Sequence, residues 1–267
     1  PIGNLDDITY RAVRTLRECD IIICENPKHS LKLLNKLGIK KKLIALHDYN
    51  EHKIIDQIKD LLKNKNCVLI SDAGSPLISD PGYRLVLAVH LEKYKVIPVP
   101  GPCAAITALS VSGLPTDRFL FEGFLPDKRI ARMKRLSALA RERATLVLYE
   151  APHRLKSTIS DCIETLGGTR KSFLGRELTK LYETIHLSTL SELRSFVDAD
   201  INQTRGESVL LIEGFRGKNS GITPELSKLA EKLSQEMSKK RVATVLAEYS
   251  GLTRREIYNY LVKTPAE

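Results

Sequence analysis

The sequence predicts an α/β protein: two α/β domains followed by a small helical domain. Three observations carry that prediction. Short, continuous apolar runs such as Ile21-Ile22-Ile23 and Val68-Leu69-Ile70 alternate with segments of helical period in the first half. Strands that are apolar on both faces and separated by helices belong to a parallel sheet covered on both sides. The alternation changes character near Leu114-Pro115-Thr116, and Gly, Lys, Asn and Ser cluster over 214–224 as in a linker.

Taken in order, residues 8–18 have helical spacing, with Asp6 or Asp7 available as the N-cap. Residues 19–24 read as a buried strand, 30–37 as a short helix closed by Gly38, and 43–46 as a short strand. An amphipathic helix follows at 51–63 and a buried strand at 67–71. Then come a helix at 83–92, a strand at 95–99 and a helix of small residues at 104–112. Beyond Pro115 the strands are 119–124, 144–149, 172–176, 183–188 and 208–213, with helices at 129–142, 153–166 and 191–197 between them. The expected domains are therefore 1–115, 116–217 and a helical 225–267. In the last of these, a helix at 241–249 breaks at Gly251, and Thr253-Arg254-Arg255-Glu256 forms a capping box for the next. That pair is either a helix-turn-helix or a plain helical hairpin.

Composition narrows the function. The 42 Lys and Arg against 32 Asp and Glu give a formal charge of +10 over 267 residues. Such a balance suits a polyanionic partner, nucleic acid being the commonest, and also occurs in proteins with no such partner. No apolar run approaches the ~20 residues of a membrane helix, so no membrane role is expected. The five cysteines are odd in number and lack a Cys-x-x-Cys pair, which speaks against a disulfide framework or a zinc site and for the cytoplasm. No metal site is expected: the six His are scattered.

Two loops stand out. Residues 71–82, Ser-Asp-Ala-Gly-Ser-Pro-Leu-Ile-Ser-Asp-Pro-Gly, follow a buried strand and precede a helix. Small residues at the carboxyl end of a parallel strand let a ligand approach the backbone, and Asp72 comes first after that strand. The plain alternative is a tight turn with capping residues. Residues 98–105 also leave a strand and open a helix of small residues, so a ligand could lie against Cys103 and Ala104; close helix packing is the alternative. Pro1-Ile2-Gly3-Asn4 looks like a third such loop. The Gly-x-Gly-x-x-Gly, Walker A and Gly-x-Ser-x-Gly patterns are absent.

The segments 1–5, 71–82, 100–102, 112–119, 121–126, 149–154 and 176–180 together resemble the tetrapyrrole methylase superfamily of S-adenosylmethionine-dependent methyltransferases. Within it they are closest to the bacterial 16S ribosomal RNA (cytidine-2′-O)-methyltransferases. The resemblance covers nearly all of the chain up to the linker. It departs at Ser75 (Thr expected), Cys103 (Ser expected) and Glu25-Asn26-Pro27-Lys28-His29. It implies two α/β domains of the tetrapyrrole methylase type with S-adenosyl-L-methionine in the cleft between them. It further implies methylation of a cytidine ribose 2′-hydroxyl in the decoding region of 16S ribosomal RNA, in the small subunit. A homodimer and a C-terminal helical domain that holds RNA are implied as well. Competing readings keep the fold with a tetrapyrrole or other small-molecule substrate, or make the protein a non-catalytic ribosome binder.

On that basis the cofactor is expected at Pro1, Asp72, Gly74, Ser75, Pro100, Gly101, Cys103, Ala104, Tyr149 and Glu150. Lys180 and Glu177 are expected near the reacting hydroxyl. The seven basic residues in 127–143 suggest a phosphate-binding lid or a solvated face. RNA contacts are accordingly expected from Arg132, Arg135, Arg154, Arg176, Arg254 and Arg255, although Arg154 and Arg176 could equally serve structural ion pairs.

Overall fold

The computed structural model describes residues 1–47, 50–217, 224–250 and 252–263. Two compact units emerge, Pro1–Phe215 and Arg216–Glu267. In the first, α1 (Tyr10–Glu18), β1 (Ile21–Cys24), α2 (Pro27–Lys36), β2 (Lys42–Ala45), α3 (Glu51–Leu62), β3 (Cys67–Ile70), α4 (Tyr83–Leu91) and α5 (Ala104–Val111) come first. There follow β4 (Phe119–Phe124), α6 (Arg129–Leu139), β5 (Thr145–Glu150), α7 (Leu155–Leu166), β6 (Lys171–Arg176), β7 (Thr184–Thr189), α8 (Leu190–Ala199) and β8 (Ser208–Ile212).

The first three strands form a parallel sheet in the order β2-β1-β3. Its alternating side chains sort the helices. Ile22 and Cys24 pack with Leu16 of α1 and Leu34 of α2, whereas Ile23 packs with Ile58 of α3 and Leu85 of α4. A sheet buried on both faces explains why its strands read as unbroken apolar runs. The second sheet has the order β4-β5-β8-β6-β7, with β4 parallel to β5 and the remaining pairs antiparallel. Its two faces feed two cores. Leu146, Leu148, Leu174 and Leu210 meet α6, α7 and α8, and Val147, Phe173, Val209 and Leu211 meet α5 and Ile2.

Two local expectations are corrected. Asp6 and Asp7 lie in a 3₁₀ turn, and the cap of α1 is Thr9, whose hydroxyl accepts the Ala12 N–H at 3.1 Å. Residues 95–99 form no strand. Pro98 and Pro100 bring no N–H to a ladder, and their carbonyls accept from the α1 side chains of Arg11 (3.3 Å) and Thr9 (3.3 Å). Val96 and Ile97 stay exposed.

The second unit holds α9 (Pro224–Glu236), α10 (Lys239–Ser250) and α11 (Arg254–Lys263) around Ala230, Val242, Leu246, Ile257 and Leu261. The expected capping box is present: Thr253 Oγ1 accepts the Glu256 N–H at 3.2 Å, and the Thr253 N–H donates to Glu256 Oε2 at 2.7 Å. Gly251 lies outside the described residues, as does 218–223 of the linker. Among the described residues no helix is long and apolar enough to cross a membrane.

Candidate functional site

A cavity of about 360 Å³ opens where the carboxyl side of the first sheet meets the second. Its wall is assembled from distant segments: Ile2, the loop Ala73 to Ser75, Ile78 to Asp80, Cys103-Ala104, Phe124, Tyr149 to Pro152, Gly175, Leu178 and Glu207 to Val209. The volume falls within the range of small-molecule sites. Of the residues expected to hold a cofactor, Gly74, Ser75, Cys103, Ala104, Tyr149 and Glu150 are in the wall.

The others stand just behind it. The Pro1 carbonyl accepts the Gly74 N–H at 3.0 Å. Asp72 Oδ1 accepts the Asn26 N–H at 3.2 Å and so ties the loop to the start of α2. Ser75 Oγ donates to the Pro102 carbonyl at 3.1 Å, which joins the two ligand loops, with Gly101 beside the same hydroxyl. Pro100 is engaged through its carbonyl by Thr9.

Backbone strain collects here. Leu77, Ser79, Glu177 and Thr179 are four of the five described non-glycine residues with positive φ, at 71°, 67°, 50° and 66°. A β-branched Thr in that region costs on the order of 1–3 kcal/mol, so surrounding contacts must hold it. Here they do: Asn4 N–H donates to Thr179 Oγ1 at 3.1 Å and Thr179 N–H to Glu183 Oε1 at 2.7 Å. A Cβ on Gly3 would come within 2.8 Å of the Leu178 carbonyl, so the first loop lies flush on the 177–180 turn.

Glu177 and Lys180 are outside the wall. Lys180 Nζ donates to Glu177 Oε1 at 2.8 Å and to Glu207 Oε2 at 2.9 Å, and Glu207 faces the cavity. Burial alone would lower the Lys180 pKa, but its two carboxylate partners outweigh this and raise it. Burial alone would likewise raise that of Glu177, yet Lys180 and the Glu207 N–H bring it below the usual range. Both groups are thus held charged, tied to each other and to Glu207.

Asp80 differs. Burial, then the neighbouring Glu25 and Asp72 carboxylates, push it up to about 6, against a weaker opposing hydrogen bond from Ser71. Sequence reasoning missed it, although it lies inside the 71–82 loop; only the fold sets it in the cavity beside two other carboxylates. Tyr149 is a neutral phenol, since burial pushes its pKa far up. Its hydroxyl accepts the Ala105 N–H at 3.2 Å, and its ring meets Phe121 and Phe124 edge-on at 5.0 and 5.7 Å.

The arginines expected on RNA prove to be largely structural. Arg132 is 4% exposed and donates to Asp161 at 2.7 Å. Arg154 pairs with Asp127, lies 3.2 Å from Glu150 Oε1 and donates to the Leu125 carbonyl. Arg176 is 7% exposed and holds Gln203, Thr184 and the carbonyls of Tyr182 and Arg205. A buried guanidinium keeps its charge only when its donors are met inside, which is how Arg132 and Arg176 are used, while the half-buried Arg154 is held mainly by carboxylates and carbonyls. Arg135 reaches solvent but forks onto Glu122 at 2.5 and 2.8 Å. Arg254 and Arg255 are exposed on α11.

The cavity fits S-adenosylmethionine. Gly74, Ala104 and Gly175 leave its wall low, Ile2, Leu178 and Val209 are apolar, and Asp80 and Glu207 offer negative charge to a cation. Among the described residues no cluster could hold a metal ion.

Residues 1–194 match the family model of tetrapyrrole (corrin/porphyrin) methylases. The ribosomal RNA small subunit methyltransferase I of Pasteurella multocida is 44% identical over 97% of this chain and 93% of its own length. The protein of the same name from Escherichia coli O157:H7 is 42% identical over 98% and 92%. Among solved structures, diphthine synthase superposes with a TM-score of 0.60 at 13% identity, covering 80% of this chain and 86% of its own. A Thermus thermophilus uroporphyrin-III C-methyltransferase complexed with S-adenosylhomocysteine gives 0.53 at 18%, covering 79% and 93%. At such identities these structures bear on the fold alone.

Proposed function

The chain belongs to the tetrapyrrole (corrin/porphyrin) methylase family, and from that membership we propose that it is an S-adenosylmethionine-dependent methyltransferase of small-subunit ribosomal RNA. The acceptor is the ribose 2′-hydroxyl of a cytidine in the decoding region of 16S RNA, and the enzyme acts on the small subunit in the cytoplasm. The observation that carries this reading is 42–44% identity, over nearly the whole chain, to the methyltransferases named above. The cavity supports it with a wall suited to the donor.

S-adenosylmethionine supplies, when bound, a methyl group already activated on a sulfonium. Gly74, Ser75, Cys103, Ala104 and Tyr149 shape the pocket for it, and Asp72, Pro1, Pro100 and Gly101 fix the loops from behind. Holding donor and hydroxyl at attack distance is the main task of the protein. A 2′-hydroxyl is a weak acid and needs a proton acceptor matched to neutral pH. Asp80 meets that need better than Glu177, whose carboxylate is committed to Lys180 and the Glu207 N–H. Glu177 and Lys180 then serve to position Glu207 and the strained turn at the cavity rim.

Transfer of labelled methyl from S-adenosylmethionine to purified small ribosomal subunits, with nuclease mapping, tests the reading. A 2′-O-methylcytidine in the decoding region is expected. Transfer to a tetrapyrrole instead, or cofactor binding with no RNA product, would overturn it.

We also assign a homodimer. Edge strand β7 exposes Ile185 (48%) and Leu187 (51%), and α5 exposes Ile106 and Val111. The Gly113 turn after α5 lies near Leu187, since a Cβ added at Gly113 would stand 3.4 Å from its side chain, and this brings the two surfaces together. Exposed apolar edge strands are normally covered. Leu187→Asp is expected to convert the dimer to monomer in sedimentation at micromolar concentration; an unaltered sedimentation coefficient would refute the assignment.

A further inference from the structure

We propose that the outer face of α1 and α2 is where the protein grips the phosphate backbone of the RNA that flanks the target nucleotide. The inference rests on the RNA reading above. It does not concern the cavity, but the surface leading away from it.

The two helices lie on the same side of the three-stranded sheet, through Leu16 and Leu34 on Ile22 and Cys24. Their ends are adjacent, since Arg17 Nη2 donates to the Leu37 carbonyl at 3.5 Å. Between Asn26 and His47 the chain carries six lysines and no acidic residue. Lys28, Lys32 and Lys36 are exposed and recur every four residues, so they line one stripe of α2. Arg14 and Arg17 are exposed on α1, one and two turns from Tyr10, whose ring is 97% exposed.

None of these five cations forms an ion pair among the described residues. On α6, by contrast, Arg129, Arg132 and Arg135 are all paired with carboxylates. Like charges four residues apart on a helix repel and destabilise it. A stripe of them without internal partners gains its compensation from an external polyanion.

Two observations select RNA as that polyanion. The stripe begins beside the loop that lines the cavity: the Asn26 N–H donates to Asp72 just behind the wall, and Glu25 lies near Asp80, which is in it. A strand with its ribose in the cavity would therefore continue onto Lys28 and Lys32. Tyr10 also presents an exposed ring one turn from Arg14 on α1, and an aromatic ring among cations is what unpaired bases stack on.

The test uses the full chain and small-subunit ribosomal RNA in filter binding across a salt series. The variant Arg14→Gln/Arg17→Gln/Lys32→Gln/Lys36→Gln removes four charges from this face. It is expected to bind at least about tenfold more weakly, and the slope of log affinity against log salt should fall by about three. Its affinity for S-adenosylmethionine should match wild type, which also reports that it is folded. A control, Lys53→Gln/Lys65→Gln/Lys93→Gln/Lys95→Gln, removes four exposed charges from other parts of the same unit. It should stay within about twofold of wild type. Equal losses in both variants would show a net-charge effect and overturn the proposal, as would no loss in either. Should the fourfold variant fail to fold, Lys32→Gln/Lys36→Gln is expected to show about half the change in slope, and none would refute the idea. If wild type transfers methyl to RNA while the two variants are indistinguishable, only the α1–α2 surface is lost. If wild type neither binds nor methylates RNA, the functional reading falls and this one with it.

Discussion

Asp80→Asn is expected to lower methyl transfer by about 10²- to 10⁴-fold at neutral pH, the usual contribution of a positioned proton acceptor. Affinity for S-adenosylmethionine should fall by far less than the rate, because the amide keeps the shape of the wall and Glu207 still offers its charge to the cation. The wild-type rate should rise with pH along a limb centred near 6, where the Asp80 carboxyl ionises, and the variant should lose that limb. Stability carries an independent sign. The folded-state pKa lies above that of an unfolded Asp, so this group favours folding below about 4 and loses that contribution as pH rises through 6. Asp80→Asn should therefore unfold at higher temperature than wild type above pH 6, and at an equal temperature in acid. A variant that keeps both its rate and its ascending limb would remove Asp80 from the mechanism and return the role to the Glu177–Lys180 pair.

Asp161→Ala is expected to cost about 3–5 kcal/mol in urea unfolding, because it strands a buried charge. Asp161 is 3% exposed and takes Arg132 on one oxygen at 2.7 Å and Arg129 on the other at 3.0 Å. Arg129 reaches solvent and would be rehydrated, but Arg132, at 4% exposed, would keep only the carbonyls of Pro126 and Asp127. The double variant Arg132→Met/Asp161→Leu should recover most of the loss, since an apolar pair of similar volume removes both desolvation costs. A loss below about 1 kcal/mol for the single variant would mean that water reaches the site. The same geometry bears on function: Arg132 holds α6 to α7, so its replacement should lower stability rather than the salt dependence of RNA binding.

The sequence by itself determined the order and kind of nearly every element. Burial on one side or both writes its period directly into the chain, as in Ile21 to Cys24, apolar throughout because helices cover both faces. The capping box of α11 was equally legible, because Thr253 and Glu256 stand only three positions apart. The loops that line the cavity were legible too: small residues after a strand are a local property, and Gly74, Ser75, Cys103 and Ala104 reach its wall.

Only the tertiary structure decided what depends on partners far away in the chain. Residues 95–99 have strand-like side chains, but a strand exists through its ladder, and here the Pro98 carbonyl goes instead to Arg11 of α1. Arg132 and Arg14 look alike as residues; one is buried on Asp161, the other exposed on α1. Asp80 acquires its raised pKa first from burial that no local pattern encodes, and then from Glu25, 55 positions earlier in the chain. A charge's role is set by its dielectric surroundings and its neighbours, and both are products of the completed fold.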